Sequence, residues 1–130
     1  MLTAITTDSP VLNSIISRNF GRSRFFILFD EDKNSIEIIP NPFAQTLGGA
    51  GIQLAQLLIE KSVDSVITNQ LGANPLRLLI SAGIKVYQCA GITALNAVDL
   101  LAENKLKLVN ITAAAQGNKF IKRYGKKNKY

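Results

Sequence analysis

The amino-acid sequence predicts a single α/β domain built on a mixed sheet, and three observations carry that expectation. Two β-favouring runs, Arg24–Asp30 and Ile36–Ile39, flank the polar turn Glu31-Asp32-Lys33-Asn34, which is the pattern of an antiparallel hairpin. Beyond Gly48 the apolar residues take up helical spacing and then alternate between helical and strand periods, which is the rhythm of parallel βαβ units. The chain has 130 residues, 47% of them hydrophobic, enough for one core and too few for two.

Each element has its own signal. Leu2–Thr7, rich in threonine and aliphatic residues, reads as the first strand and stops at the turn signal Asp8-Ser9-Pro10. Val11–Ser23 has no clean period and reads as a loop hinged at Gly21. The hairpin comes next, and Pro40 and Pro42 end its second strand because proline cannot donate to a sheet ladder. After Gly48-Gly49-Ala50-Gly51, the residues Ile52, Ala55, Leu58 and Ile59 share one helical face, widened by Leu54 and Leu57. Ser65–Thr68 is a short strand. Asn74 as cap and Pro75 at the first helical position open the next helix, which Gly83 closes. Ile84–Tyr87 alternates as a strand does, and Thr93 caps a third helix over Ala94–Glu103 that Asn104 closes. The expected architecture is a mixed five-stranded sheet, an N-terminal strand and antiparallel hairpin followed by parallel βαβ units, flanked by three helices. Lys105–Val109 is a candidate for one more short strand.

The net charge of +6 is placed unevenly. Lys119, Lys122, Arg123, Lys126, Lys127 and Lys129 carry the whole excess, while the first 116 residues hold nine bases against nine acids. Periodicity is lost over the same stretch. The expected organisation is therefore one α/β domain over residues 1–112 and a basic, flexible tail over 113–130. The N-terminus has no basic segment followed by an apolar stretch, and the longest apolar run, Phe25–Phe29, falls far short of the ~20 residues that span a bilayer, so a cytoplasmic protein is expected.

Chemistry is constrained by what the composition lacks. There is one cysteine, Cys89, and no histidine, so no internal disulfide, four-ligand zinc site or Ser-His or Cys-His pair can be built. Binding is favoured over catalysis. Gly48-Gly49-Ala50-Gly51 directly before a helix reads either as a tight connection or as a cradle in which backbone N–H groups approach an anion, and it matches neither a P-loop nor a dinucleotide fingerprint. The turn Asn69-Gln70-Leu71-Gly72 lies between a strand end and a helix start, where open α/β sheets place ligands. Arg22 offers a fork of donors suited to an oxyanion or a cluster sulfide, and Cys89 is either a soft-metal ligand or a small buried hydrophobe.

The ordered set Phe20-Gly21-Arg22, Asn41-Pro42, Gly49-Ala50-Gly51-Ile52-Gln53, Val63-Asp64, Gly72-Ala73-Asn74 and Ala82–Tyr87 resembles the dinitrogenase iron-molybdenum cofactor biosynthesis family, which includes NifX-like proteins and the C-terminal domain of NifB-like proteins. The resemblance covers residues 2–108. It implies a ribonuclease-H-like fold and a carrier that holds an iron-sulfur or molybdenum-containing cluster and passes it between a donor and an acceptor protein. The implied site comprises Phe20, Gly21, Arg22, Gly48, Gly49, Ala50, Gly51, Asn69, Gln70 and Gly72, with Cys89 the one soft ligand. Several members of the family have histidine where this chain has Asn19 and Gly48, which removes the obvious metal ligand and leaves noncovalent capture of an anionic cluster. Two further readings stand beside this one. The tail lysines and Arg123, interleaved with Phe120, Tyr124 and Tyr130, suit nucleic-acid binding, and the fold analogy alone suggests a metal-dependent nuclease.

Overall fold

The computed structural model describes residues 1–109. In chain order the elements are β1 (Leu2–Thr7), β2 (Phe25–Asp30), β3 (Ser35–Pro40), α1 (Ala50–Glu60), β4 (Ser65–Thr68), α2 (Ala73–Ser81), β5 (Lys85–Gln88), α3 (Ala94–Ala102) and β6 (Lys107–Leu108). The strands form one sheet in the order β3-β2-β1-β4-β5-β6. β1 lies at its centre, antiparallel to β2 with Ile5 opposite Ile27, and parallel to β4 with Ile5 opposite Ile67. The chain therefore builds outward from β1 in one direction through the hairpin and in the other through βαβ units. At that divide the C-terminal ends of β1 and β4 open a crevice for loops.

Strand alternation sends neighbouring residues to opposite faces. On one face Ala4, Phe26, Leu28, Val66 and Val86 pack with Leu54 and Leu58 of α1 and Leu76 and Leu79 of α2. On the other, Ile5, Ile27 and Ile67 pack with Ala94, Ala97 and Leu101 of α3 and with Ile16. Full burial of each large side chain contributes about 1.5–3 kcal/mol. Polar residues inside the sheet are paired: Thr3 with Ser65 at 2.8 Å and Thr6 with Thr68 at 2.7 Å, two hydroxyl bridges that join β1 to β4. The hairpin turn is held by Asp30, whose Oδ1 accepts from the amides of Asp32 and Lys33.

Two sequence expectations are corrected. The sheet has six strands rather than five, because Lys107–Leu108 pairs antiparallel with β5. Its two residues carry no periodic signal, and their place is set by pairing with β5 and by the Val109 amide donating to Val86. The cap of α2 is Gly72, not Asn74: Gly72 is extended, and its carbonyl accepts from Leu76 at 3.2 Å. Pro75 consequently sits two positions deeper than expected, still within the first turn, where an absent N–H costs no helical bond. Thr93 does cap α3, its Oγ1 accepting from Asn96 at 3.1 Å. Among the described residues no helix is long and apolar enough to cross a membrane. The boundary at 112/113 and the basic residues Lys119 to Lys129 lie outside the described residues.

Candidate functional site

The loop after β1 is drawn into the sheet crevice by backbone bonds. Ser17 donates to Thr6, Gln70 donates to Arg18, and Phe20 donates to Gln70 at 2.8 Å, so the segment lies parallel to the chain leaving β4. Phe20 is fully buried and anchors the segment in the core beside α1 and α2. The next residue, Gly21, makes a close backbone contact. A methyl on Gly21 would lie 2.5 Å from the Gly51 nitrogen and 2.9 Å from the Ala50 carbonyl carbon, so only glycine lets this loop rest against the start of α1.

The start of α1 in turn rests against the start of α2, where a methyl on Gly51 would lie 3.1 Å from Pro75. These three segments, remote in sequence, enclose a depression of about 300 Å³ lined by Asn19–Arg22, Gly49–Ile52, Leu71, Gly72, Asn74 and Pro75. Of the predicted residues it gathers Phe20, Gly21, Arg22, Gly49, Ala50, Gly51 and Gly72. Gly48 adjoins it without lining it, and a Cβ there would meet nothing within 4 Å. Gln70 contributes its backbone to holding Phe20 and leaves its side chain exposed.

The helix ends in this depression are unusual in what they lack. Neither α1 nor α2 has a side-chain cap or an acidic residue in its first turn. Gly49 caps α1 in the left-handed region at φ 71°, which a larger residue enters only at a cost. The amides of Ala50, Gly51 and Ile52 donate to no other described group. Helix N-termini carry partial positive charge, and here two of them meet where Arg22 is the one charged lining residue among the described residues.

Arg22 is partly engaged already. Its Nη1 donates to the carbonyls of Ala44, at 3.1 Å, and Thr46, which ties the loop after β3 to the rim. The same loop is fixed below by Asn41, a buried residue whose Nδ2 donates to the carbonyls of Gly21 (3.0 Å) and Ser23 (2.8 Å) while its Oδ1 accepts from Phe43. Asn41 is legible in the sequence as part of the Asn41-Pro42 pair that carries the family resemblance; its positioning role comes from its long-range partners. Asn19 Oδ1 accepts from the Arg22 amide at 3.3 Å, and Asn74 Oδ1 accepts from Arg77 at 3.1 Å.

Asn69 and Cys89 lie elsewhere. They share a second depression of about 410 Å³ beside α3, with Gln88, Ala90, Ile92, Leu100, Lys105, Leu106 and Lys107. Burial pushes the Cys89 thiol up to about 11, so at neutral pH it is protonated and packs as a small apolar group. Among the described residues no three His, Cys, Asp or Glu side chains cluster to hold a metal ion. The glycine-lined depression likewise offers no thiol, imidazole or carboxylate. Its donor set suits an anion whose metals, if it has any, are already fully ligated.

These features define a class: a small α/β domain with a mixed sheet and an amide-rich depression at the point where the sheet's two branches divide. The chain belongs to the dinitrogenase iron-molybdenum cofactor family, whose model matches residues 1–104. It is similar to the apo form of the orange protein from Desulfovibrio gigas, at 31% identity and a TM-score of 0.78 over 83% of this chain and 92% of that one. It is similar also to a provisionally named NifB protein from Thermotoga, at 32% identity and a TM-score of 0.71 over 81% and 90% of the two chains. An uncharacterised protein of Methanocaldococcus jannaschii is 27% identical over 101 residues, 75% of this chain and 86% of the relative.

Proposed function

We propose that this domain is a carrier that holds an anionic metal-sulfur cluster, as cargo and without transforming it, in the depression between the starts of α1 and α2. The observation that carries the reading is the meeting of two helix N-termini without side-chain caps beside Arg22. Sulfides on the outside of a cluster accept hydrogen bonds from backbone amides, and the helix ends and the guanidinium stabilise its negative charge. The depression is shallow and lacks a metal-ligating side chain, so cargo held there is released without breaking a protein–metal bond. That suits transfer from a donor protein to an acceptor. Family membership supports the cargo class, and the similar orange protein is described in an apo form.

The ribonuclease-H-like ancestry expected of the family belongs to this reading as a matter of architecture only, because a nuclease of that kind needs clustered acids for its metal ions. The nucleic-acid alternative rests on tail residues outside the described region, and no observation favours it. The protein is proposed to act in the cytoplasm, where oxygen-labile clusters are assembled, with a role that need not involve nitrogenase.

The test is anaerobic loading of the purified protein with tetrathiomolybdate or a soluble iron-sulfur cluster, followed by desalting, metal analysis and thermal unfolding. Retained metal with a raised Tm is the expected result, since a ligand that binds only the native state stabilises it. No retained metal and an unchanged Tm would overturn the proposal.

A further inference from the structure

The larger depression, beside α3, is not used by the carrier reading, yet it gathers two of the residues that the sequence singles out. Its floor is apolar: Cys89, Ala90, Ile92, Leu100 and Leu106 line it, and Cys89, Ile92 and Leu106 pack against the α3 core. Its polar lining residues are Asn69, Gln88, Lys105 and Lys107. Gln88 Nε2 donates to the Asn69 carbonyl at 2.8 Å and the Cys89 amide donates to Thr68 at 3.0 Å, so the ends of β4 and β5 form a wall fixed by hydrogen bonds. Lys107, paired in register with Gln88, stands beside that wall. Lys105 is the second cation of the lining, although its Nζ lies 3.2 Å from Glu103 in an exposed pair of small energetic worth. Among the described residues no carboxylate lines the depression.

We infer that this depression is a second binding site, separate from the glycine-lined one, for a small amphipathic carboxylate whose hydrocarbon part covers Ile92, Leu100 and Leu106 and whose charged end meets Lys107. The size agrees: about 410 Å³ falls at the lower end of the roughly 300–1,000 Å³ occupied by small-molecule sites. So does the arrangement, a mostly apolar lining with a few convergent polar groups that fix orientation. A naked metal ion does not fit, because one protonated thiol and two ammonium groups offer it no ligand set. A neutral hydrocarbon would leave Lys107 without a partner and gain nothing from it.

The single cysteine makes the test local, since any alkylation reports on this depression alone. Cys89 is to be alkylated with iodoacetamide at mildly alkaline pH in the presence of octanoate or of 1-octanol, its uncharged counterpart. Octanoate is expected to slow the reaction saturably, by about tenfold at ten times its dissociation constant. 1-Octanol should protect far less. Lys107→Gln and Lys107→Glu are each expected to abolish the protection by octanoate, and Lys107→Arg to retain it, with circular dichroism establishing that each variant is folded. Absence of protection by octanoate would overturn the site. Equal protection by octanoate and 1-octanol, or full protection in Lys107→Gln, would overturn its selection for an anion.

Discussion

Helix α3 begins as helices usually do, on a threonine whose hydroxyl accepts from the third amide of the first turn. α1 and α2 are capped by glycines, Gly49 and Gly72, which have no side chain with which to accept. A side-chain cap contributes typically ~1 kcal/mol relative to alanine, and at α3 the fold satisfies the preceding amides as well, Ala94 donating to Ser14 and Leu95 to Leu12. It is withheld at the two ends that share a depression. The difference separates a helix end capped by a side chain from ends capped by glycine, and glycine recurs at the site for unlike reasons: close contact with backbone at Gly21 and with the Pro75 ring at Gly51, a left-handed turn at Gly49.

The sharpest way to break this comparison is at the backbone contact. Gly21→Ala forces a methyl to 2.5 Å from backbone that cannot move without shifting α1, and a loss of about 1–3 kcal/mol in denaturant unfolding is expected, together with loss of cluster retention. Gly48→Ala, in open space, should change stability by less than ~0.5 kcal/mol and serves as the control. Equal effects from the two would mean that the contact is not what requires glycine.

Arg22→Gln removes the charge that lines the depression and one tether of the loop after β3. Affinity for tetrathiomolybdate is expected to fall by about tenfold, equivalent to ~1.4 kcal/mol, with a steeper loss at low salt than at high salt. Arg22→Lys should recover the charge but not the two-carbonyl grip, and so restore binding only in part.

The smallest expected effect concerns the other depression. Unfolded, the Cys89 thiol ionises near its ordinary 9.0; folded, burial holds it protonated to about 11. The native state therefore keeps a proton that the unfolded state loses between these values, so this contribution is intact below pH 9 and declines as pH rises toward 11. Alkylation rates should climb through pH 9 and level only near 11. A plateau near 9 would show that Cys89 is exposed.

Much of this molecule is written in local pattern. The hairpin comes from two apolar runs around Glu31–Asn34, and α1 from a helical stripe opening at a glycine turn. The Phe20-Gly21-Arg22 and Gly49-Ala50-Gly51 segments are recognisable and do converge. Other features are not local and so not legible. β6 is two residues long and exists through its pairing with β5. The α2 cap falls at Gly72 because the carbonyl of an extended residue, rather than the best capping side chain, starts the helix. Asn69 and Gly72 read in sequence as parts of one turn, but the chain leaving β4 turns across the sheet edge, putting Asn69 beside α3 and Gly72 beside α1. The positioning role of Asn41 is hidden for the same reason, since its partners are 18 and 20 residues away.

The most direct measurement concerns the glycine-capped start of α2 itself. Gly72 has the extended backbone of an ordinary cap residue, and a Cβ there meets Pro75 no closer than 3.6 Å, so Gly72→Asp is sterically permitted. Its carboxylate would accept from the Asn74 amide in the first turn of α2 and place a negative charge where the cargo would sit. Thermal unfolding and tetrathiomolybdate titration of the same variant should then move in opposite directions: stability up by a few tenths of a kcal/mol, affinity down by about tenfold. A variant that gains stability and binds as tightly as the unaltered protein would contradict the claim that these helix ends are kept open for an anion.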